Sequence, residues 1–560
     1  MVIVVLSLVL LLADYGQYGF LENASADQIT SVIRDRLKTR GGRPALSSGE
    51  ALSFPTELKN FYARRGFHPA WLSAESALPV SYSLLDALQK ASCHGLRPED
   101  YHLRSIKSLL PRKGFFVDEG LPSAEKSVDL DFLLTDAFFL YASHLATGRV
   151  NPEKINAQWY IRKRKLPNLP YTLEKALASE QIAPALEGLA PSSPYYTRLM
   201  AALKKYREIA IKGGRPIVPN GPILKVGDRD ERVSLVRERL ETHFVVHFWE
   251  DTEKNEGKYL FDESLAQAVK AFQQRHGLTA DGTVGPETVE ALNVPVTERI
   301  RQIEINLERR RWMPDDLGDP SVVINIPEFK LKVVKSGKEA LTSRIVVGRS
   351  VRNTPVFDSR IAHFVLNPYW NVPRSIAVEE ILPQIQNSLE YLNWENVTVL
   401  SGSGTVIPPW AVDWSKVTAQ NFRYQLRQDP GPRNPLGRLK FVFPNSFDVY
   451  LHDTPARYLF EREERSFSHG CIRVEHPFQL AAVLLPGDPV ESERELLAAA
   501  ETGKRKQIRL LHPVEIYVLY FTAWVDPDGT IQFRKDIYNY DPLLRDALEK
   551  AVPLSGSGTD

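Results

Sequence analysis

Cysteine is nearly absent from this chain. Its 560 residues hold two, Cys93 and Cys471, so no disulfide framework organises the fold. No CxxC pair occurs, and one Cys with neighbouring His falls short of the ligand set of a structural zinc site. Charge of one sign is also lacking. The 70 Lys and Arg against 69 Asp and Glu leave a net +1, without the basic surplus that attracts nucleic acid. The N-terminal apolar run, residues 2–12, is broken only by Ser7 and is short for a bilayer span. No Lys or Arg precedes it. With Ala24-Ser25-Ala26 as a small-x-small site, it still reads as an export segment over 1–26. A cleaved signal peptide and an uncleaved membrane anchor both remain open.

What is present is ordinary globular composition, 43% hydrophobic and 25% charged, at a length that suits about three domains. The pattern predicts a multidomain α+β chain. Residues 27–216 read as helical. Their clearest helix spans Asp129–Leu145, with Leu130, Leu133, Leu134, Ala137, Phe138, Tyr141 and Leu145 on one stripe. Cys93 lies in this part and reads as a packed or idle thiol. Residues 217–296 read as a small module of three short helices, Asp230–Leu240, Glu263–Gln274 and Glu287–Leu292, with a charged insert at 250–258. Residues 297–550 open on a basic helix, Arg299–Arg311, whose arginines read as a solvated face. Alternating strands follow at Ser321–Ile326, Lys330–Val334, Ser343–Val347, Ile361–Leu366 and Leu439–Phe443, predicting a mainly-β sandwich or partly closed barrel. An insertion at 374–430 interrupts them. It carries Tyr391, Trp394, Trp410 and Trp414, which either cover a cleft as a lid or pack a satellite core. Residues 551–560 read as a tail.

The chemistry concentrates between Phe447 and Pro477. Phe447, Val449 and Leu451 alternate with Asp448, Tyr450 and His452, predicting a strand that ends at His452. Ser468-His469-Gly470 then leads into Cys471-Ile472-Arg473-Val474, where Cys471 and Arg473 share a face opposite Ile472 and Val474. Two adjacent strands would bring Cys471 and His452 over one open face. A thiol needs a nearby base or amide donors to act as a nucleophile. His452 is the candidate general base and His469 a secondary group. Gly470 permits a tight turn that would aim amide N–H groups, its own included, at an oxyanion. Arg473 either binds a substrate carboxylate or pairs with a nearby acid.

These residues carry a resemblance. His452, the sixteen-residue step to Ser468, and Ser468-His469-Gly470-Cys471-Ile472-Arg473 resemble the signature of L,D-transpeptidases with the YkuD-type catalytic domain. Many members have Asn where this chain has Arg473; large Gram-negative members resemble this sequence there. The run AVKAFQQRHGLTADGTVGPETVEALN is similar to three-helix peptidoglycan-binding modules, with a plain helical spacer as the other reading. Phe61–Phe67 and Thr147–Pro152 resemble the helical scaffold of the large members, and the insertion resembles their capping subdomain. The resemblance implies a periplasmic enzyme that needs no cofactor or metal and acts on peptidoglycan stem peptides and glycan. Cys471 would attack the third residue of a tetrapeptide stem, release D-Ala, and pass the acyl group to a second stem as a 3→3 crosslink. It implies that the carbonyl of Asp453 orients His452. Ser468, Tyr450, Arg473 and Trp410 complete the candidate substrate-binding set. Lipoprotein attachment, crosslink hydrolysis and a non-catalytic wall-binding scaffold are the alternatives. Inner-membrane association and contact with other wall-synthesis enzymes stay open.

Overall fold

A computed structural model describes residues 26–38, 44, 46–73, 75–111, 121–162, 164–241 and 257–550. The apolar run 2–12, most of the Ala24–Ala26 site, most of the insert 250–258 and the tail 551–560 lie outside these residues.

The N-terminal part is helical and is built on α1, Ala124–Thr147. The apolar stripe predicts a helix with one buried face, yet nearly every residue from Ser127 to Ala146 is buried. The off-stripe acids explain this, because each serves a chain segment packed on that side. Asp131 accepts the Ala70 and Trp71 amides, both at 2.9 Å, and the Tyr62 hydroxyl at 2.5 Å. Asp136 accepts the Ser53 amide and, at 2.7 Å, the Phe54 amide. It also meets His102 Nε2 at 2.8 Å, while His102 Nδ1 lies 2.5 Å from Glu50. Buried carboxylates thus satisfy loop amides that would otherwise be stranded from water.

Helix α2, Pro194–Ile211, carries this part to the module. The module holds α3, Arg232–Glu241, α4, Glu263–His276, and α5, Pro286–Asn293, within a residue or two of their expected ends. Val233, Val236, Leu240, Leu265, Val269, Phe272 and Leu292 fill its core.

Helix α6, Val296–Trp312, corrects the expectation of a solvated arginine face. Arg311 and Glu308 form a 2.7 Å ion pair with side chains 1% and 0% exposed. Glu308 accepts the Arg149 amide at 2.6 Å, and Arg311 donates to the His94 carbonyl and the Tyr196 hydroxyl, both at 2.9 Å. Gly148, at φ +86°, makes room, since a Cβ there would sit 2.5 Å from the Glu308 carboxylate. Arg309 pairs with Asp541 at 2.6 Å. The helix is therefore buried between the scaffold and the β domain, and its charges are satisfied by both.

The β domain is a barrel. Its strands are β1, Trp159–Tyr160, β2, Ser321–Asn325, β3, Lys330–Lys335, β4, Lys338–Gly348, and β5, Val356–Leu366. Then come β6, Leu439–Val442, β7, Leu451–His452, β8, Ser466–Ser468, β9, Ile472–Val474, and β10, Lys506–Leu519. The order is β1-β5-β10-β2-β3-β4-β9-β7-β6, and β6 pairs back onto β5 to close the ring. Closure leaves no open edge except where β1, lent by the helical part, adds beside β5 with Trp159 opposite Val356. Val322, Ile324, Leu331, Val333, Ile345, Val347, Phe364, Phe441, Leu451 and Ile472 fill the interior.

The expected strand from Phe447 shrinks to β7. Asp448 has φ +54°, a left-handed conformation that Asp tolerates and that breaks the alternation. The insertion has its own three-stranded sheet, Trp370–Asn371, Val397–Leu400 and Gln425–Gln428, around Ile381, Ile385, Leu392 and Phe422. Trp414 is 5% exposed inside that core, which corrects its placement over a cleft.

Candidate active site

Strands β7 and β9 run parallel, with Leu451 beside Ile472 and His452 beside Arg473. Leu451, Ile472 and Val474 are 0% exposed in the barrel interior. Alternation therefore sends His452, Cys471 and Arg473 to the opposite face. From the other side β6 places Lys440 beside His452.

The turn before the cysteine is closed on itself. Ser468 Oγ donates to the Cys471 carbonyl at 2.5 Å and accepts the Gly470 amide at 3.1 Å. Thr354 donates to the Gly470 carbonyl at 2.8 Å and accepts the Gly348 amide at 2.8 Å, tying the turn to the end of β4. Gly470 has φ +114°, which side chains rarely adopt. Two expectations change here. Ser468 is 2% exposed with its hydroxyl spent inside the turn, so it shapes the turn and does not reach substrate. The Gly470 amide already has an acceptor and is not free for an oxyanion. The Cys471 amide has no acceptor among the described residues.

His452 is buried, and its Nδ1 lies 2.5 Å from the Asp453 carbonyl. A carbonyl only accepts, so Nδ1 carries the proton and Nε2 keeps its lone pair. Burial, joined by the charge of Arg473, pushes the imidazole down to about 3 against the pull of the Asp453 and Pro435 carbonyls. Burial also pushes the Cys471 thiol up, although the Tyr450 amide and hydroxyl, Lys440 and Arg473 draw it back. Cys471 Sγ lies 3.8 Å from the Asp448 carbonyl. Base and thiol are both neutral at rest, in a setting whose fixed charges favour an arriving anion.

Three of those charges and dipoles line the face. Tyr450 is half-buried, its hydroxyl facing Cys471 and Trp370, and Lys440 Nζ sits 3.6 Å above its ring. Arg473 is half-buried, with its Nε unbonded and no carboxylate within 4.0 Å among the described residues. Pairing with a nearby acid, one of the two expectations for Arg473, is not what the fold provides. His469 Nε2 meets Arg349 Nη2 at 2.8 Å and Glu380 Oε1 at 2.6 Å. Trp410 is 81% exposed on the insertion, and no contact joins it to the cysteine turn among the described residues. Sequence reasoning missed Thr354, Lys440, Arg349 and Glu380. They come from segments far along the chain, and only register or tertiary contact joins them to the motif. Among the described residues no three of His, Cys, Asp and Glu are grouped to hold a metal ion.

Comparison with known proteins agrees with this architecture. Residues 56–203 match the family model of a scaffold domain, residues 252–292 that of a "Putative peptidoglycan binding domain", and residues 319–491 that of the L,D-transpeptidase catalytic domain. A "Putative L,D-transpeptidase" of Haemophilus influenzae is 37% identical over 242 residues, 43% of this chain and 48% of that protein. An N-acetylmuramoyl-L-alanine amidase of Mycobacterium tuberculosis is 41% identical over 76 residues, 13% of this chain and 19% of its own length. The chain thus spans about half or less of the curated relatives it matches. The crystal structure of an L,D-transpeptidase from Stackebrandtia nassauensis aligns over 55% of this chain and 97% of its own, at 14% identity and a TM-score of 0.20. On the family models, residues 319–491 belong to the L,D-transpeptidase catalytic domain family, joined in one chain to a scaffold domain and a peptidoglycan-binding domain.

Proposed function

We propose that the chain is an exported cysteine L,D-transpeptidase that forms 3→3 crosslinks in peptidoglycan. The observation that carries this reading is a neutral thiol and a neutral imidazole of fixed tautomer, set on adjacent strands beside an amide with no acceptor among the described residues. His452 Nε2 takes the Cys471 proton as sulfur bonds to the carbonyl carbon of the third residue in a donor tetrapeptide. The Cys471 amide donates to the developing oxyanion. The C–N bond to D-Ala breaks, D-Ala leaves with the proton from His452, and a thioester remains. The side-chain amine of a second stem then attacks the thioester. His452 takes the amine proton and returns it to the departing thiolate. Proton and acyl group balance over the two halves, and no cofactor enters.

Arg473 suits a carboxylate of the stem. It is a half-buried guanidinium with no acidic partner among the described residues, and a bidentate carboxylate is the ligand it satisfies best. The peptidoglycan-binding module holds the enzyme on the wall, which places it in the periplasm.

Purified disaccharide-tetrapeptide incubated with the full chain tests the reading by mass spectrometry of the products. Equimolar D-Ala release with a 3→3 linked dimer is expected. Loss of D-Ala to water alone would reassign the domain to hydrolysis, and unchanged substrate would remove the crosslinking assignment.

A further inference from the structure

The second histidine of the motif faces two partners that it cannot satisfy at once. Its Nε2 lies 2.8 Å from Arg349 Nη2, a donor with no acceptor capacity, and 2.6 Å from Glu380 Oε1, an acceptor. With the ring proton on Nδ1 alone, the Nε2 lone pair accepts from Arg349 and opposes the Glu380 carboxylate. With a proton on Nε2, it donates to Glu380 and opposes the Arg349 guanidinium.

The partners belong to different bodies. Arg349 follows β4 and its amide donates to the Ser468 carbonyl at 3.0 Å, so it is part of the barrel's hold on the cysteine turn. Glu380 lies on the first helix of the inserted subdomain. That helix carries one turn of π-helix, Ala377–Ile381, which contains both Glu379 and Glu380. Glu379 pairs with Arg352, and Arg352 Nη1 also reaches Ser375 Oγ at 3.5 Å. The widened turn points two successive carboxylates at the barrel, where a regular α-helix would turn them about 100° apart. The charged groups facing His469 are thus Glu379 and Glu380 from the subdomain, Arg349 and Arg352 from the loop after β4, and Cys471 and Arg473 from its own segment.

We propose that His469 is a positioning residue and a latch: its Nε2 is handed either to Arg349 of the barrel or to Glu380 of the subdomain. Protonation seats the subdomain against the Cys471 turn, and deprotonation releases it. This deepens the transpeptidase reading and rests on it for its meaning, because the latch would set when stems reach Cys471. The latch itself needs no turnover to be seen.

Hydrogen exchange of the full chain, corrected for intrinsic rates and followed from about pH 5 to about pH 8, spans an ordinary imidazole titration. In the wild type, amides of 374–387 and 466–474 should become roughly fivefold better protected as pH falls, in keeping with a partly exposed charged pair. Glu380→Gln should abolish that pH dependence, and Glu380→Asp should restore part of it. Arg349→Gln should move it to higher pH, since it removes the cation that opposes the imidazolium. A role in mere packing would not give opposite effects for Glu380→Gln and Arg349→Gln. Acylation by a carbapenem probe in the same buffers should show a wild-type to Glu380→Gln rate ratio that changes with pH. If no variant is acylated, the transpeptidase reading fails while the exchange data still decide the latch. A flat wild-type profile, or a Glu380→Gln profile that follows the wild type, overturns the latch.

Discussion

Replacing His452 with Gln should slow acylation of Cys471 by about 10²–10⁴-fold, the usual cost of losing a general base. Replacing His469 should cost less. The two histidines are equally close to the cysteine in sequence logic, but the fold treats them differently. His452 is on a strand whose register is fixed on both sides, by Arg473 and by Lys440. Its ring is anchored through Nδ1 on the Asp453 carbonyl, so its free nitrogen is held in one place. Burial keeps that nitrogen unprotonated. His469 has its Nε2 engaged by Arg349 and Glu380, which leaves it poorly placed to shuttle a proton. Intact-protein mass spectrometry against time measures the acylation rate, and circular dichroism shows that each variant is folded. A His469 variant slower than the His452 variant would move the base to His469.

Replacing His102 with Ala should destabilise the helical part by about 3 kcal/mol at pH 6 and progressively less as pH rises toward about 9. Burial opposes charge on His102. Hydrogen bonds to Asp136 and Glu50, with the charges behind them, outweigh it and raise the imidazole to about 9. The folded value therefore lies above the unfolded one of about 6.5. Stability from this site is complete below the unfolded value and is lost as pH climbs through the folded one. The effect is local: His102 staples Glu50 and Ser105 to the buried end of Asp136 on α1. Urea unfolding followed by circular dichroism at several pH values measures it. A wild-type minus variant difference that does not shrink between about pH 6.5 and about pH 9 would contradict the assignment.

The parts of the fold that the sequence made legible are those decided by near neighbours. Period-two alternation marked the barrel strands, and apolar spacing with Asp and Gly caps marked α4 of the module. The Ser-His-Gly-Cys run announced its own tight turn. What stayed hidden depends on distant chain. The arginines of α6 look like a solvated face until Glu308, Asp541 and the His94 carbonyl arrive from elsewhere. Ser468 looks available to substrate until the turn consumes its hydroxyl, and the Gly470 amide looks free for the same reason. Asp448 interrupts a strand because its left-handed backbone is set by the loop it enters, not by its side-chain class. Arg349 and Glu380 carry no local signature, since each becomes informative only when His469 lies between them.

The central claim is that Cys471 forms the acyl intermediate. Incubation of the full chain with disaccharide-tetrapeptide or a carbapenem, rapid quenching and peptide mapping by mass spectrometry test it most directly. One acyl adduct on the peptide carrying Cys471, absent from Cys471→Ala, is the predicted result. An adduct on the exposed Cys93, or an unmodified Cys471 during turnover, would contradict it.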